Sequence, residues 1–458
     1  MNQQFDLIVL GSGSGARAGA TKARKEFGAR VAIVENTRWG GSCPNVACKP
    51  TKAYVVVADL AHDITTLAHK LGIEVGEATV NLARVKARKD ELITPRHVWI
   101  ERLRSAGHER FDGTGAFLDP TTVQVNGGRI SAQRILVATG SRTAVPPIEG
   151  LDEVGWIDHV TALELAELPG SLLVVGGGPV GLELAQIFSR FGSRVTIVQH
   201  ADRIAPRSDV TATDELHAAL EEEGIEIRTG ATVSRVRRQD GDVVATVGED
   251  EIHAAQLLLA SGRAPNVELL ELGRVGIHHE RAGITVDERL RTSLEGVWAA
   301  GDVTGIFPFT PVAQYQARIA VDDMFGGNGA RADYSSLPTT IFTDPELSSV
   351  GLTERDAREQ GHDVETAVHP IKYVQRAAYT DTKRGLYKLV CDRGSRRVLG
   401  IHVVCRNGGD IVQGFGVAMR LGATVDDLAR AHHAFPTWAE GVKAAAEQVT
   451  AGRAAGQA

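Results

Sequence analysis

The chain has 458 residues, 43% hydrophobic and 23% charged. That is the balance of a globular protein too long for one core, so roughly three domains are expected. A formal net charge of −7, with no basic tract and no ladder of aromatic and basic residues, argues against nucleic-acid binding. There is no apolar run of about 18 residues to span a membrane, and the opening MNQQFDLIVLGSGSG lacks the basic flank and cleavage site of an export signal. A cytoplasmic location is therefore expected, a reducing compartment where a cysteine pair is more often catalytic than structural.

In chain order, FDLIVLGSGSGARAGATKARKEFGARVAIVEN (5–36) reads as strand, glycine turn, helix, strand, the first strand a continuous apolar run suited to a buried parallel sheet. Gly11, Gly13 and Ala16 fill the G-x-G-x-x-G/A positions. Gly11 permits the tight turn, Gly13 lets the backbone approach a pyrophosphate, and the small Ala16 lets the helix pack on the strand. Glu35 ends the next strand, where a carboxylate can bind ribose hydroxyls. Dinucleotide binding is expected rather than a merely structural turn.

The segment GGSCPNVACKPTK (40–52) holds Cys43 and Cys48, half of the chain's four cysteines. A regular helix would separate their Cα atoms by roughly 8–9 Å, whereas a disulfide needs about 4.4–6.8 Å. A bond between them therefore requires a distorted first helical turn. Pro44 and Pro50 supply the means, Pro50 by removing the hydrogen bond to the Val46 carbonyl. So short a loop makes a poor structural cross-link, while a helix N-terminus with Lys49 and Lys52 nearby would stabilise a thiolate. The alternative is two separate buried thiols.

RILVATGSRTAVPPIEG (134–150) closes this module, and GSLLVVGGGPVGLELAQIFSRFGSRVTIVQH (170–200) repeats its grammar, with Gly176, Gly178 and Gly181 in the turn. Two such units suggest two bound nucleotides. The position of the ribose carboxylate is now Gln199, followed by His200, with Arg203 and Arg207 nearby. A 2′-phosphate would meet no like charge there and could pair with the arginines, which also read as ordinary solvated loop charges. Gly181, however, is the commoner choice for NAD-type turns, so NADPH is only slightly favoured over NADH. LLLASGRAPN (257–266) closes the second unit, and GVWAAGDVTG (296–305) is a further apolar strand running into a polar turn. From about Tyr334 strands and helices alternate, as in an α+β domain, and Cys391 and Cys405 fall in two of its strands as packing thiols.

This order of motifs resembles the FAD-dependent pyridine nucleotide–disulfide oxidoreductases, the family of glutathione reductase, dihydrolipoamide dehydrogenase and mercuric reductase, over nearly the whole chain. GGSCPNVACKPTK resembles the family's GGTCxNVGCxPSK redox segment. GVWAAGDVTG resembles its second FAD motif, with Asp302 at the acid that binds the ribityl chain, and ATGS (138–141) and ASGRAPN (260–266) match its strand-ending turns. The resemblance implies an α/β fold with two Rossmann-like domains and a C-terminal α+β dimerisation domain. FAD would be held by 1–150 and 271–333, NAD(P) by 151–270, and the dimer by 334–458. It implies FAD at Gly11, Gly13, Ala16, Glu35, Lys52, Thr139, Gly140 and Asp302, and NADPH or NADH at Gly176, Gly178, Gly181, Gln199, His200, Arg203 and Gly262. It further implies a redox disulfide in which Cys48 lies next to the flavin and Cys43 is the interchange thiol, with a Lys52–Glu183 ion pair near the flavin N5. A homodimer with shared active sites and a small-molecule electron acceptor follow, with no resident metal.

One departure bears on the acceptor. Disulfide-reducing members carry a C-terminal HPTxxE whose histidine handles a proton. Here HHAFPTWAE (432–440) keeps Glu440 but places Phe435 at the histidine position. Thiol–disulfide exchange with a dithiol needs that proton handling, and His432 and His433 read more simply as surface or capping residues than as substitutes. AEGVKAAA (439–446) is similar to the mercuric reductases' VEGLKLAA, yet the chain ends TAGRAAGQA without their paired cysteines and begins without a metal-binding domain. A metal ion, a quinone or another small oxidant is the expected acceptor. The alternatives are a low-molecular-weight disulfide or dihydrolipoamide, and a non-catalytic redox sensor.

Overall fold

The structure, a computed structural model, describes residues 3–456 apart from 77 and 328. Two compact units emerge. The first comprises the residues before Lys52 together with Ala87–Ala144 and Gly262–Asp333, and the second comprises Lys52–Lys86, Val145–Ser261 and the residues from Tyr334 on.

At the centre of the first unit is a five-stranded sheet in the order Val297–Ala299, Ile135–Val137, Leu7–Leu10, Val31–Glu35, Glu109–Asp112, parallel throughout. Leu7, Ile8, Val9 and Leu10 are all buried, which is why this strand is apolar at every position rather than at alternate ones. Each such side chain contributes about 1.5–3 kcal/mol by leaving water. The helix Ser14–Phe27 follows the strand, and small residues on its inner face (Gly15, Ala16, Gly19, Ala20, Ala23) set it close to the sheet. A Cβ at Gly15 would stand 2.9 Å from the Ala313 carbonyl oxygen on the helix Thr310–Met324, so the two helices pack backbone to backbone.

The second unit repeats this grammar. Strands Glu226–Arg228, Arg194–Val198, Ser171–Val175 and Gln256–Leu259 form a parallel sheet in that order, with the helix Pro179–Phe191 connecting the third of them to the second. A three-stranded antiparallel sheet, Val233–Gln239 to Asp250–Ala254, accompanies it. The C-terminal residues form an antiparallel five-stranded sheet, Pro338–Ile341, Glu346–Gly351, Val398–Cys405, Leu386–Asp392, Val364–Pro370, with the helices Gly408–Arg420 and Glu440–Gly456. The expected α/β fold with two dinucleotide-type units and an α+β C-terminal part is what is seen.

Candidate functional site

The two glycine turns are built alike. Gly11 has φ +102° and Gly176 φ +114°, a region open to glycine at little cost. Added Cβ atoms would lie 2.3 Å from the Ala138 carbonyl oxygen and 2.4 Å from that of Ala260, respectively. Gly13 and Gly178 N-cap the following helices, which have neither a side-chain cap nor an acidic residue in the first turn. Three other helix starts are closed by side chains: Asp209 accepts from Thr211 and Ala212, and Thr353 and Thr424 cap the helices they precede. Open first-turn amides directly after a glycine turn suit these two helices to an anion.

A carboxylate or amide braces each turn from the end of the next strand. Glu35 accepts from the Ser12 N–H at 3.0 Å and from its hydroxyl at 2.7 Å, and its other oxygen accepts from the Thr37 and Arg38 N–H groups at 2.8 and 3.2 Å. Gln199 does the same from the equivalent place. Its Oε1 accepts from the Gly177 N–H at 3.0 Å, and its Nε2 donates to the Arg203 carbonyl at 3.4 Å. Gln199 is buried and is therefore a neutral replacement for Glu35, not merely the site of a missing acid. His200 is exposed beside it, and Arg203 pairs with Asp214 at 2.9 Å. Gly181 has a local reason of its own: a Cβ there would stand 1.9 Å from the Gly176 carbonyl oxygen. Its identity is set by packing and says little about the nucleotide.

The segment before the cysteines touches the first turn. Gly41 has φ +77°, and a Cβ on it would lie 2.4 Å from the Gly13 Cα. A short helical turn, Ser42–Asn45, carries Cys43. The Val46 and Ala47 N–H groups both donate to the Ser42 carbonyl, Val46 leaves the helical region at φ −142°, ψ 0°, and the helix Cys48–His62 starts afresh. The distortion anticipated between the cysteines is present and lies at Val46, the residue whose carbonyl a continuous helix would pair with the N–H that Pro50 lacks. In the new helix Pro50 falls in the first turn, where no N–H is needed. Asn45 holds the turn by donating to the Trp39 and Gly41 carbonyls at 3.1 and 2.7 Å. Cys43 is half-buried and Cys48 exposed, with the Cys48 Sγ 3.7 Å from the Thr310 hydroxyl. Cys391 and Cys405 are fully buried in their strands, and burial pushes their thiols up to about 11 and about 12, which leaves them inert at neutral pH.

Asp302 opens a 3₁₀ turn at the end of the strand Val297–Ala299. It accepts from the Ser141 hydroxyl at 2.6 Å, and Ser141 in turn accepts from Arg263 Nε at 3.0 Å. Thr139 and Asn266 exchange two hydrogen bonds, and the Gly140 carbonyl accepts from the Asn266 N–H. Gly262 lies in the same unit, its carbonyl accepting from the Ala144 N–H. Ser141, Arg263 and Gln316, which accepts from the Gly301 N–H at 2.7 Å, carry this turn together with Asp302. Sequence reading missed Thr310, Ser141 and Arg263, because the pairing of segments more than a hundred residues apart has no local signature, and it missed Gln316, a helix residue that nothing local links to the Gly301 turn.

In the second unit Lys52 Nζ lies 2.5 Å from Glu183 Oε2, whose other oxygen accepts from the Phe342 N–H at 3.0 Å. The ammonium also sits 4.3 Å above the Phe342 ring. At the C-terminus, Glu440 accepts from the Thr437 N–H and begins the last helix. Phe435 is 74% exposed, and the peptide bond to Pro436 is cis. His433 stacks on Phe415 with its Nδ1 3.4 Å from the Ala431 carbonyl oxygen, while His432 is exposed.

Residues 5–317 match the pyridine nucleotide-disulphide oxidoreductase family and residues 337–446 its dimerisation domain. The chain belongs to this family, whose members are FAD-dependent enzymes using NAD(P)H. It is 37% identical to the mercuric reductase of Streptomyces lividans, covering 97% of this chain and 96% of the relative. It is 30% identical to the dihydrolipoyl dehydrogenase of Bacillus subtilis, covering 97% and 98%. Among solved structures, the Cu(II) complex of the HOCl-induced flavoprotein disulfide reductase RclA from Escherichia coli superposes with a TM-score of 0.88 at 30% identity, over 98% of this chain and all of that one. Among the described residues no helix is long and apolar enough to cross a membrane, and no cluster of His, Cys, Asp and Glu could hold a metal ion.

Proposed function

We propose that this enzyme passes electrons from NAD(P)H through a Cys43–Cys48 disulfide to a metal ion, a quinone or another small oxidant that needs no proton from the protein. The observation that carries this reading is Phe435, an exposed hydrocarbon ring at the position where disulfide-reducing relatives keep an acid–base histidine. Glu440 accepts from the Thr437 N–H, and His433 stacks on Phe415 with its Nδ1 near the Ala431 carbonyl oxygen. The mercuric reductase relatives and the Cu(II) complex of RclA support a soft or redox-active metal ion as the acceptor to test first.

The residues present suit both nucleotides. Gly11 and Gly41 approach backbone too closely to carry a Cβ, and Gly13 keeps the space before an uncapped helix N-terminus open; Gly176 and Gly181, with Gly178, do the same in the second unit. Glu35, Thr139, Gly140 and Asp302 would hold FAD together with the first turn, and Gln199, His200 and Arg203 would hold NAD(P)H together with the second. When bound, FAD supplies the two-electron chemistry that links NAD(P)H to the disulfide. Two electrons and one proton then leave Cys48 as thiolate and Cys43 as thiol. The helix N-terminus at Cys48 favours its charged form, and Cys43, in the loop, meets the acceptor. Lys52, held by Glu183, supplies a positive charge one turn after Cys48. A homodimer formed through 334–458, in the cytoplasm, completes the reading.

The test is a steady-state panel of Cu(II), Hg(II), quinones, glutathione disulfide and lipoamide with NADPH and NADH. A metal ion or quinone should turn over fastest, and Cys48→Ala should abolish the thiolate-to-flavin charge-transfer absorbance of the reduced enzyme. Fastest turnover of lipoamide or glutathione disulfide would overturn the reading of Phe435.

A further inference from the structure

Lys52–Glu183 is the first of two rungs joining the helices Cys48–His62 and Pro179–Phe191. Seven residues further along each helix, Arg190 Nη1 meets Asp59 Oδ1 at 2.7 Å. Equal spacing on both helices means that they run parallel and in register, with rungs about 10 Å apart and of opposite sense. The redox helix contributes the cation to the first and the anion to the second.

The rungs differ in what stands behind them. Each has one end that reaches water, Lys52 at 34% and Asp59 at 39% exposed, where a contact is partly screened, and one buried end, Glu183 and Arg190. The Arg190 side chain is 3% exposed. It grips Glu223 through Nε and Nη2 at 2.9 and 2.7 Å, and it reaches the Asp344 carboxylate at 3.2 Å. Buried, forked guanidinium contacts fix orientation far better than a single ammonium contact. Gln186, between the rungs, exchanges hydrogen bonds with the Asp344 backbone at 2.7 and 2.8 Å. Arg190 is thus anchored to its own surroundings, and Asp59 links the redox helix to that anchor beside the buried Tyr54 of the same helix, whose ring packs on Phe191 and whose hydroxyl donates to the Leu163 carbonyl at 3.0 Å.

We propose that the Asp59–Arg190 rung positions Lys52, holding the redox helix in register with the helix that presents Glu183. A slide or rotation of the redox helix would carry its ammonium, and Cys48 one turn earlier, away from their working positions. This inference rests on the roles given above to Lys52 and the cysteine pair. Asp59 is a positioning residue and touches neither nucleotide nor acceptor.

The test is Asp59→Asn in the full-length flavoenzyme, compared with Asp59→Glu and Asp63→Asn. Asp59 is 39% exposed, and Glu223 and Asp344 still neutralise Arg190 in its absence, so flavin content and melting temperature should stay near wild type. Expected is a drop of about fivefold in the charge-transfer absorbance of the NAD(P)H-reduced enzyme, with Asp59→Glu restoring it to within about twofold. Asp63→Asn, which removes an Arg406 contact of the same cluster, should leave the band unchanged. In a Glu183→Gln background Asp59→Asn should cause no further loss, because both act through Lys52. An unchanged band in Asp59→Asn would overturn the proposal, as would an equal drop in Asp63→Asn or fully additive losses in the double variant. If Asp59→Asn melts early or loses flavin, the same comparison made with Asp59→Ser decides by the same criteria. A wild-type enzyme without the band, or a Cys48→Ala variant that keeps it, would instead overturn the reading of the cysteine pair.

Discussion

Replacing Gly41 by alanine tests whether the cysteine segment and the first nucleotide turn form one cradle. Gly41 has φ +77°, ψ −172°, a region almost closed to residues with a Cβ, and occupying it costs about 1–3 kcal/mol. The new methyl group would also stand 2.4 Å from the Gly13 Cα and 3.2 Å from its nitrogen. Backbone atoms cannot turn aside as a side chain can, so the turn must shift by about 1 Å to restore ordinary contact, an overpacking cost of about 1–3 kcal/mol more. Gly28→Ala is the control. It C-caps the helix Ser14–Phe27 at φ +68°, with nothing within 4 Å of an added Cβ, so it carries only a left-handed backbone cost of about 1–2 kcal/mol. Both variants should melt earlier than wild type, but only Gly41→Ala should lose FAD, by about tenfold or more in affinity for a shift of this cost. The assay is flavin absorbance after gel filtration at graded FAD concentrations, together with thermal melts. Equal flavin retention in the two variants would refute the argument that Gly41 and Gly13 must approach this closely.

Two further outcomes follow from the geometry. Gln199→Glu should keep the brace to the Gly177 N–H, as Glu35 does for Ser12, while placing a negative charge where a 2′-phosphate would lie. The ratio of kcat/KM for NADH over NADPH should rise about tenfold or more, and an unchanged ratio would remove Gln199 from nucleotide selection. Glu346, which accepts from the Gly409 N–H at 2.8 Å, is pushed by burial from an ordinary 4.5 up to about 7. A raised carboxyl binds its proton more tightly when folded, so its stabilising contribution is full below pH 4.5 and is lost as the pH rises through about 7. Relative to Glu346→Gln, the wild-type melting temperature should therefore fall between pH 5 and pH 8, and a constant difference across that window would show that Glu346 is not held protonated.

What could be read from the sequence is what the chain encodes locally. The glycine turns were legible because Gly11 and Gly176 need positive φ and each is preceded by an apolar strand. The cysteine segment was legible because Cys43 and Cys48 stand beside a glycine pair and two lysines, a grouping that supports thiolate chemistry and that core packing does not require. Pro50 was legible in the same way, since the break falls at Val46, whose carbonyl it leaves without a helix partner; what the sequence did not announce is that Asn45 holds the turn before the break through the nearby Trp39 and Gly41 carbonyls. The Ser141–Asp302–Arg263 chain and the Asp59–Arg190 rung were not legible, since each is made by the meeting of distant segments, and charged residues on helices look alike until their neighbours are known.

Gln199 joins the two nucleotide turns most closely. In the sequence it was an absence, the place where an acid should have been. In the structure it performs the mechanical half of what Glu35 does, closing the glycine turn through the N–H that follows the first glycine, and it omits only the charge. One supersecondary unit has thus been used twice with its brace kept and its electrostatics changed. A brace of this kind is needed whichever nucleotide binds, so its retention explains how the two turns can share one geometry while their ligands differ. On the nucleotide assignments proposed above, discrimination would rest on the single formal charge that separates a carboxylate from an amide, set against whatever phosphate or hydroxyl the ribose presents.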